Sequence, residues 1–178
     1  PFGIGAKNLV TQILTFSRQE KHELVLINAY EDVNESLKLL RSTTPATIEF
    51  MTTFADEQIV VNVDTTQLQQ VIINLVSNAV YAMDEKGLLK VDLGKMALAT
   101  ADIPGGSNLQ SGQYAKLSVS DTGTGMDKQT IDRIFDPFFT TKDVGVGTGL
   151  GLSVIHGIVE QHGGIITVDS VVGVGSTL

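Results

Sequence analysis

The spacing of hydrophobic positions changes several times along this chain, and each change predicts an element. Ala6, Leu9, Val10, Ile13, Leu14 and Ser17 recur at i, i+3, i+4 and i+7. Residues 6 to about 19 are therefore predicted as an amphipathic helix with the spacing of a bundle or coiled-coil seam, ended by the polar run Arg18 to Glu23. A second helix is predicted from about Asn28 to Arg41, with Val33, Leu37 and Leu40 inward and Pro45 as its breaker. Thr47–Thr53 and Gln58–Val63 read as short strands around a turn at Ala55-Asp56-Glu57.

Asp64-Thr-Thr-Gln67 has the form of a capping box and opens a long helix to about Asp84. Leu68, Val71, Ile72, Leu75, Val76, Ala79 and Met83 form its apolar stripe, and Gly87 reads as its stop. Leu88–Leu98 and Gln113–Asp121 are predicted strands, joined by a surface loop containing Pro104-Gly-Gly-Ser-Asn108. Asp127 begins a short helix, and residues 136 to 148 are irregular. Leu150–His162 is helical, and Gly163-Gly164 ends it. Ile165–Ser170 is a strand and Val171–Gly175 a turn, and Leu178 enters a further strand. Helices and strands mix without strict βαβ alternation. The class this implies is an α/β (α+β) two-layer sandwich, with helices on one face of a mixed sheet.

Composition narrows the function classes. The 178 residues are 42% hydrophobic and 18% charged, enough for a real core. A net charge of −8 disfavours nucleic acid as a partner. No run of 18 apolar residues occurs, so no membrane contact is expected of this segment. Cysteine is absent, which removes thiolate sites and fits a cytoplasmic setting. Three scattered histidines do not make a zinc site.

The candidate chemistry lies in a few polar groups set among apolar stripes. Asn74 and Asn78 share a face of the long helix, and Asn78 borders the apolar stripe. Its carboxamide oxygen can ligate a hard divalent cation, or it can be a core-edge amide satisfied by backbone. By strand alternation Asp121 points inward with Ala115, Leu117 and Val119. A carboxylate there can accept a ligand amine, or it can cap the Thr122-Gly123 turn. Gly123 and Gly125 permit close backbone approach to a flat ligand. The run Asp143-Val-Gly-Val-Gly-Thr-Gly-Leu-Gly-Leu152 passes straight into a helix. The amides of that N-terminus can attract anionic oxygens, and Thr148 can add a hydroxyl. Gly145, Gly147, Gly149 and Gly151 make the segment mobile, as a lid requires. Lys142, just upstream, is a candidate phosphate contact or a solvated surface residue. No Walker or Rossmann fingerprint is present.

In order, these segments resemble the ATP-binding catalytic domain of bacterial two-component sensor histidine kinases, in the GHKL superfamily, most similar to nitrogen-regulator-type and hybrid kinases. Gln70-Val-Ile-Ile-Asn-Leu-Val-Ser-Asn78-Ala resembles the N box. Asp121-Thr-Gly-Thr-Gly125 resembles the first glycine box and Phe135-Asp-Pro-Phe-Phe139 the F box. Gly147-Thr-Gly-Leu-Gly151 resembles the second glycine box and Gly173-Val-Gly-Ser-Thr177 the last. The resemblance implies ATP and Mg²⁺ as ligands. Asn78 would hold the metal with Asn74 in support. Asp121 would take the adenine amine in a pocket shaped by Gly123 and Gly125. Gly147, Thr148, Gly149, Leu150 and Gly151 would hold phosphates, with Lys142 nearby. Phe138 and Phe139 would be the apolar feet of the lid.

It also implies a domain division: residues 1–23 as the end of a dimerisation helix plus linker, and 24–178 as the catalytic domain with its last strand cut short. The implied activity is transfer of the γ-phosphoryl group to a histidine on an upstream segment, for relay to a response-regulator aspartate. The implied partners are the protein's own dimerisation/phosphoacceptor domain, a response regulator, and a second copy in a homodimer. The full-length protein could carry a membrane anchor elsewhere. No residue of this chain is assigned as phosphoacceptor. His22-Glu23 lies after the first helix and lacks the usual Asn or Thr four places on, where Leu26 stands. His156 and His162 read as structural or exposed. Val80 and Tyr81 stand where such kinases often carry a basic residue. Two other readings are a GHKL ATPase clamp, which needs a glutamate where Asn74 stands, and a non-catalytic nucleotide-binding or docking module.

Overall fold

The computed structural model describes residues 23–55, 58–99, 109–143 and 146–178. The predicted helix over 6–19, His22, the Asp56-Glu57 part of the first turn, the Pro104–Asn108 loop and Gly145 lie outside the described residues.

The order of elements is β1 (Val25–Asn28), α1 (Ala29–Thr43), β2 (Ile48–Phe54), β3 (Val60–Val63), α2 (Thr65–Ala82), β4 (Gly87–Leu98), β5 (Gly112–Asp121), α3 (Lys128–Ile131), α4 (Gly151–Gln161), β6 (Asp169–Val171) and β7 (Gly175–Thr177). Five strands form one mixed sheet in the order β2-β4-β5-β7-β6. Only the β2–β4 pair is parallel among its ladders. β1 and β3 form a separate antiparallel pair.

The apolar rows of β4 and β5 face the helices. Leu89, Val91, Leu93 and Val119 are buried, and they pack with Val71, Ile72, Leu75, Val76 and Ala79 of α2 and Ile155 and Ile158 of α4. Val33 and Leu37 of α1 join the same cluster. Each fully buried aliphatic side chain contributes about 1.5–3 kcal/mol through loss of water contact. This layer fixes the rotation of α2, and with it the face that carries Asn74 and Asn78.

Several sequence expectations are refined. β2 and β3 do not pair with each other across their turn; one joins β4 in the large sheet and the other joins β1. β1 is an element the hydrophobic pattern did not reveal, because four residues leave no period to read. Asn28 ends it and caps α1, its side chain accepting from the Tyr30 amide at 3.3 Å. The strand expected over 165–170 is confined to Asp169–Val171. Gly87 does not terminate α2 as a C-cap. Asp84 and Glu85 take the positive-φ positions after the helix, at 47° and 67°, and Gly87 opens β4. Leu178 continues beyond β7 in ladder contact, its N–H and C=O each bonded to Val119.

Asp64 caps α2 as the capping box predicts. Asp64 Oδ1 accepts from the Gln67 amide at 3.1 Å. The Asp64 amide donates to His162 Nε2 at 3.1 Å, across 98 residues. His162 Nδ1 lies 2.8 Å from the Ile158 carbonyl. The ring accepts at one nitrogen, so the proton belongs on the other, and His162 ties the end of α4 to the start of α2.

Candidate nucleotide site

Two clusters of the expected site residues form along the C-terminal half of α2, one at Asn78 and one a turn later at Ala82.

At Ala82 the helix meets the loop that follows β5. A Cβ on Gly123 would stand 2.5 Å from the Ala82 carbonyl carbon and oxygen, so no side chain fits there. Thr124 N–H donates to Ala82 O at 3.0 Å. Gly125 has φ +65°, and a Cβ there would lie 2.0 Å from Val171 O. The Gly173 amide donates to Thr124 O at 2.7 Å, and the Met126 amide to Ser170 Oγ at 2.8 Å. The first glycine loop is thus clamped between the end of α2 and the β6–β7 turn.

Asp121 opens this loop with 9% of its surface exposed. It sits opposite Leu89 at the end of the buried row, as strand alternation predicted. Its Oδ1 accepts the Gly123 amide at 2.8 Å. Burial raises its pKa above the ordinary 3.8, while the Gly123 and Ser176 amides lower it. The carboxylate therefore does cap its own turn. Two oxygens carry about four acceptor positions, so capacity for a ligand amine remains.

At Asn78 three separate segments converge. Lys142 Nζ donates to Asn78 Oδ1 at 3.0 Å and lies 4.2 Å from the centre of the Tyr81 ring. Burial lowers the Lys142 pKa below its ordinary 10.5. A Cβ on Gly151, the first residue of α4, would lie 3.8 Å from Asn74 Oδ1 and 3.9 Å from Asn78 Nδ2. The N-terminus of α4 therefore rests against both expected asparagines. Its N-cap, Leu150, has no side-chain cap bond. Amides at such a terminus seek an acceptor from outside the helix. The Thr148 hydroxyl accepts the Leu150 amide at 3.4 Å.

The segment between α3 and α4 is held at both ends. The Phe138 amide donates to Gly149 O at 2.9 Å. Gly149 has φ +67°, and a Cβ there would meet the Phe138 carbonyl carbon at 2.3 Å. Gly147 lies against Thr140 Oγ1 and the Lys142 stem. One expectation is corrected here. Phe138 is no apolar foot: the residue is 71% exposed and its φ is +68°. Its backbone does the anchoring. Packing is supplied by buried Ile134 and by Phe135, whose ring lies 5.0 Å from His156 of α4. Phe139 sits under the Arg133 guanidinium at 4.4 Å.

Tyr81 is the residue that sequence reasoning did not place in the site. It stands where such kinases often carry a basic residue, and its ring lies against the Lys142 ammonium instead. A cavity of about 300 Å³ between Leu40 of α1 and Val76, Val80 and Tyr81 of α2 shares only Tyr81 with this cluster. Among the described residues no group of three or more His, Cys, Asp or Glu could hold a metal ion.

The sequence that carries these loops matches a known family. A family model described as histidine kinase-, DNA gyrase B-, and HSP90-like ATPase covers residues 63–178. The chain belongs to that family. It is 37% identical over 172 residues to the sensor kinase CckA of Brucella abortus (strain 2308), covering 97% of this chain and 18% of that protein. The catalytic domain of histidine kinase ThkA superposes with a TM-score of 0.70 at 31% identity, over 87% of this chain and 91% of that one. Histidine kinase ThkA in complex with the response regulator protein TrrA gives a TM-score of 0.70 at 26% identity, over 97% of this chain and 45% of that one. The chain thus spans under a fifth of CckA, and the mixed sheet with its helices is the sheet of histidine kinase catalytic domains.

Proposed function

We propose that this chain binds Mg-ATP and acts as the catalytic domain of a two-component sensor histidine kinase, donating the γ-phosphoryl group to a histidine on a dimerisation hairpin. The observation that carries the reading is the convergence at Asn78. A neutral carboxamide oxygen already faces a cation, the Lys142 ammonium at 3.0 Å, beside the N-terminus of α4. A carboxamide oxygen is a hard, neutral donor of the kind that can ligate a divalent ion brought in with a polyphosphate.

Asn78 would hold the metal, with Asn74 one turn earlier against Gly151. Asp121 would accept the adenine exocyclic amine, and Gly123 and Gly125 would let the base approach the backbone. The amides of residues 147–151, the Thr148 hydroxyl and Lys142 would face the phosphates. Mg²⁺, when bound, neutralises charge on the phosphate oxygens. The chain itself contributes positioning and electrostatic stabilisation, which is most of what phosphoryl transfer asks of a protein.

Partners follow the same reading. ThkA has been solved with a response regulator, which supports relay of the phosphoryl group to a regulator aspartate here. A homodimer through the hairpin and a cytoplasmic setting are the corresponding proposals. No helix among the described residues is long and apolar enough to cross a membrane. A hydrolytic clamp is disfavoured because Asn74 has no ionisable group to activate water.

The test supplies a histidine-bearing dimerisation hairpin from the full-length protein in trans, with γ-labelled ATP and Mg²⁺. Label is expected on the hairpin histidine, and only when this chain is present. Steady ATP hydrolysis with no labelled hairpin would move the clamp reading to the front.

A further inference from the structure

Tyr81 is 46% exposed yet lies at the centre of the Asn78 cluster. It stands three residues after Asn78 and seven after Asn74, on the same side of α2. The Lys142 ammonium is 4.2 Å from its ring centre and 3.0 Å from Asn78 Oδ1. The lysine stem is confined on a further side by Gly147, where an added Cβ would come within 3.0 Å of Lys142 Cβ.

Both partners of this ammonium are neutral, and that has a chemical consequence. A carboxylate at position 81 would hold the lysine but cancel its charge. An aromatic face attracts a cation through its quadrupole and leaves the charge intact. The charge therefore stays available to an anion arriving at the N-terminus of α4. In a chain with 20 acidic and 12 basic residues, an uncancelled local cation matters for drawing in a polyphosphate.

We propose that Tyr81 is a positioning residue that seats the Lys142 ammonium at the phosphate end of the site and so sets the preference for a triphosphate over a bare nucleoside. This rests on the nucleotide reading given above. Tyr81 acts through Lys142 and touches no reacting atom. Its half-exposed ring carries little of the core, so removing it leaves the fold standing.

The experiment is a double-mutant cycle on this chain, read by calorimetry with a non-hydrolysable ATP analogue plus Mg²⁺ and, separately, with adenosine. Tyr81→Ala is expected to weaken the analogue about three- to tenfold, the range of a partly desolvated cation–π contact. Adenosine affinity is expected to stay the same. In a Lys142→Ala background the Tyr81→Ala change is expected to have no further effect, and Tyr81→Phe is expected to recover the analogue affinity. Equal weakening of both ligands, or the same loss with and without Lys142, or no loss at all, overturns the inference while the site reading stands. If the folded wild-type chain binds neither ligand, the site reading itself fails and this inference falls with it.

Discussion

The Asp121 carboxylate accepts the amide of Gly123, two residues along, at 2.8 Å, while closed in by the end of β5 and the β7 strand. This one contact ties turn geometry to ligand chemistry. It fixes the carboxylate orientation before any ligand arrives, and it requires a residue without a side chain where Ala82 presses on the loop.

Its titration gives the first prediction. Burial raises the Asp121 pKa in the folded state above 3.8. A carboxyl with a raised folded pKa binds more protons in the folded than in the unfolded chain within that window. Stability contributed by this group is therefore highest below about 3.8 and falls as pH rises through the folded pKa, then stays level. Asp121→Asn removes this dependence. Denaturant unfolding at a series of pH values should show the variant gaining on the wild type across that window. A difference that is flat with pH contradicts the assignment.

The same substitution tests recognition. An asparagine that still accepts Gly123 N–H turns its amide donors toward the ligand amine, donor against donor. Asp121→Asn should lose affinity for adenosine as well as for ATP. Inosine, which offers a carbonyl in place of the amine, should recover part of it in the variant. Adenosine affinity unchanged in Asp121→Asn would remove the carboxylate from the base pocket.

Asn78→Ala takes away the carboxamide oxygen that faces Lys142. Hydrogen bonds and ligand bonds to charged groups are worth about 1.5–3 kcal/mol, so Mg²⁺-dependent affinity for an ATP analogue should fall roughly tenfold or more. Adenosine binding should be spared. Full retention of the Mg²⁺ effect would place the metal elsewhere.

Gly149 meets the Phe138 backbone at φ +67°, and a Cβ there would lie 2.3 Å from the Phe138 carbonyl carbon. Gly149→Ala should destabilise the chain by about 1–2 kcal/mol from backbone conformation alone. It should also open the bond between the Phe138 amide and Gly149 O, since the new Cβ would strike the Phe138 carbonyl. Thermal unfolding and analogue titration together check this; wild-type values in both would show that the clasp is not needed.

His162 is a purely structural tie in this account. His162→Ala withdraws the ring acceptor from the Asp64 amide and should cost about 1–3 kcal/mol in urea unfolding. Nucleotide affinity, measured where the variant is fully folded, should be unaffected. A specific loss of binding would mean that the junction of α4 and α2 transmits strain to the site.

Much of this was legible in the residues. The stripe from Leu68 to Met83 gave α2 and its rotation, because a long amphipathic period overdetermines the buried face. Strand alternation placed Asp121 inward at the end of the β5 row. The glycine spacing marked the loops at 123–125 and 147–151, where close backbone approach excludes a side chain at Gly123, Gly125 and Gly149. β1 was not legible, being four residues long. Nor was the pairing of β3 with β1, since pairing depends on long-range contacts that local pattern does not encode. The Phe138 role was misread because a hydrophobic residue in a motif suggests a packed ring, whereas here the contact is made by its backbone. Tyr81 was passed over because an aromatic at helical spacing carries no sign of charge until Lys142 is seen above it.

The central claim is that the loops at Asp121 and Gly147–Gly151, with Asn78 between them, form one Mg-nucleotide site. It is tested most directly by titrating the purified chain with a non-hydrolysable ATP analogue in a calorimeter, with and without Mg²⁺. Micromolar to sub-millimolar binding that strengthens with Mg²⁺ is the predicted result. A folded chain that binds no analogue under either condition would contradict it.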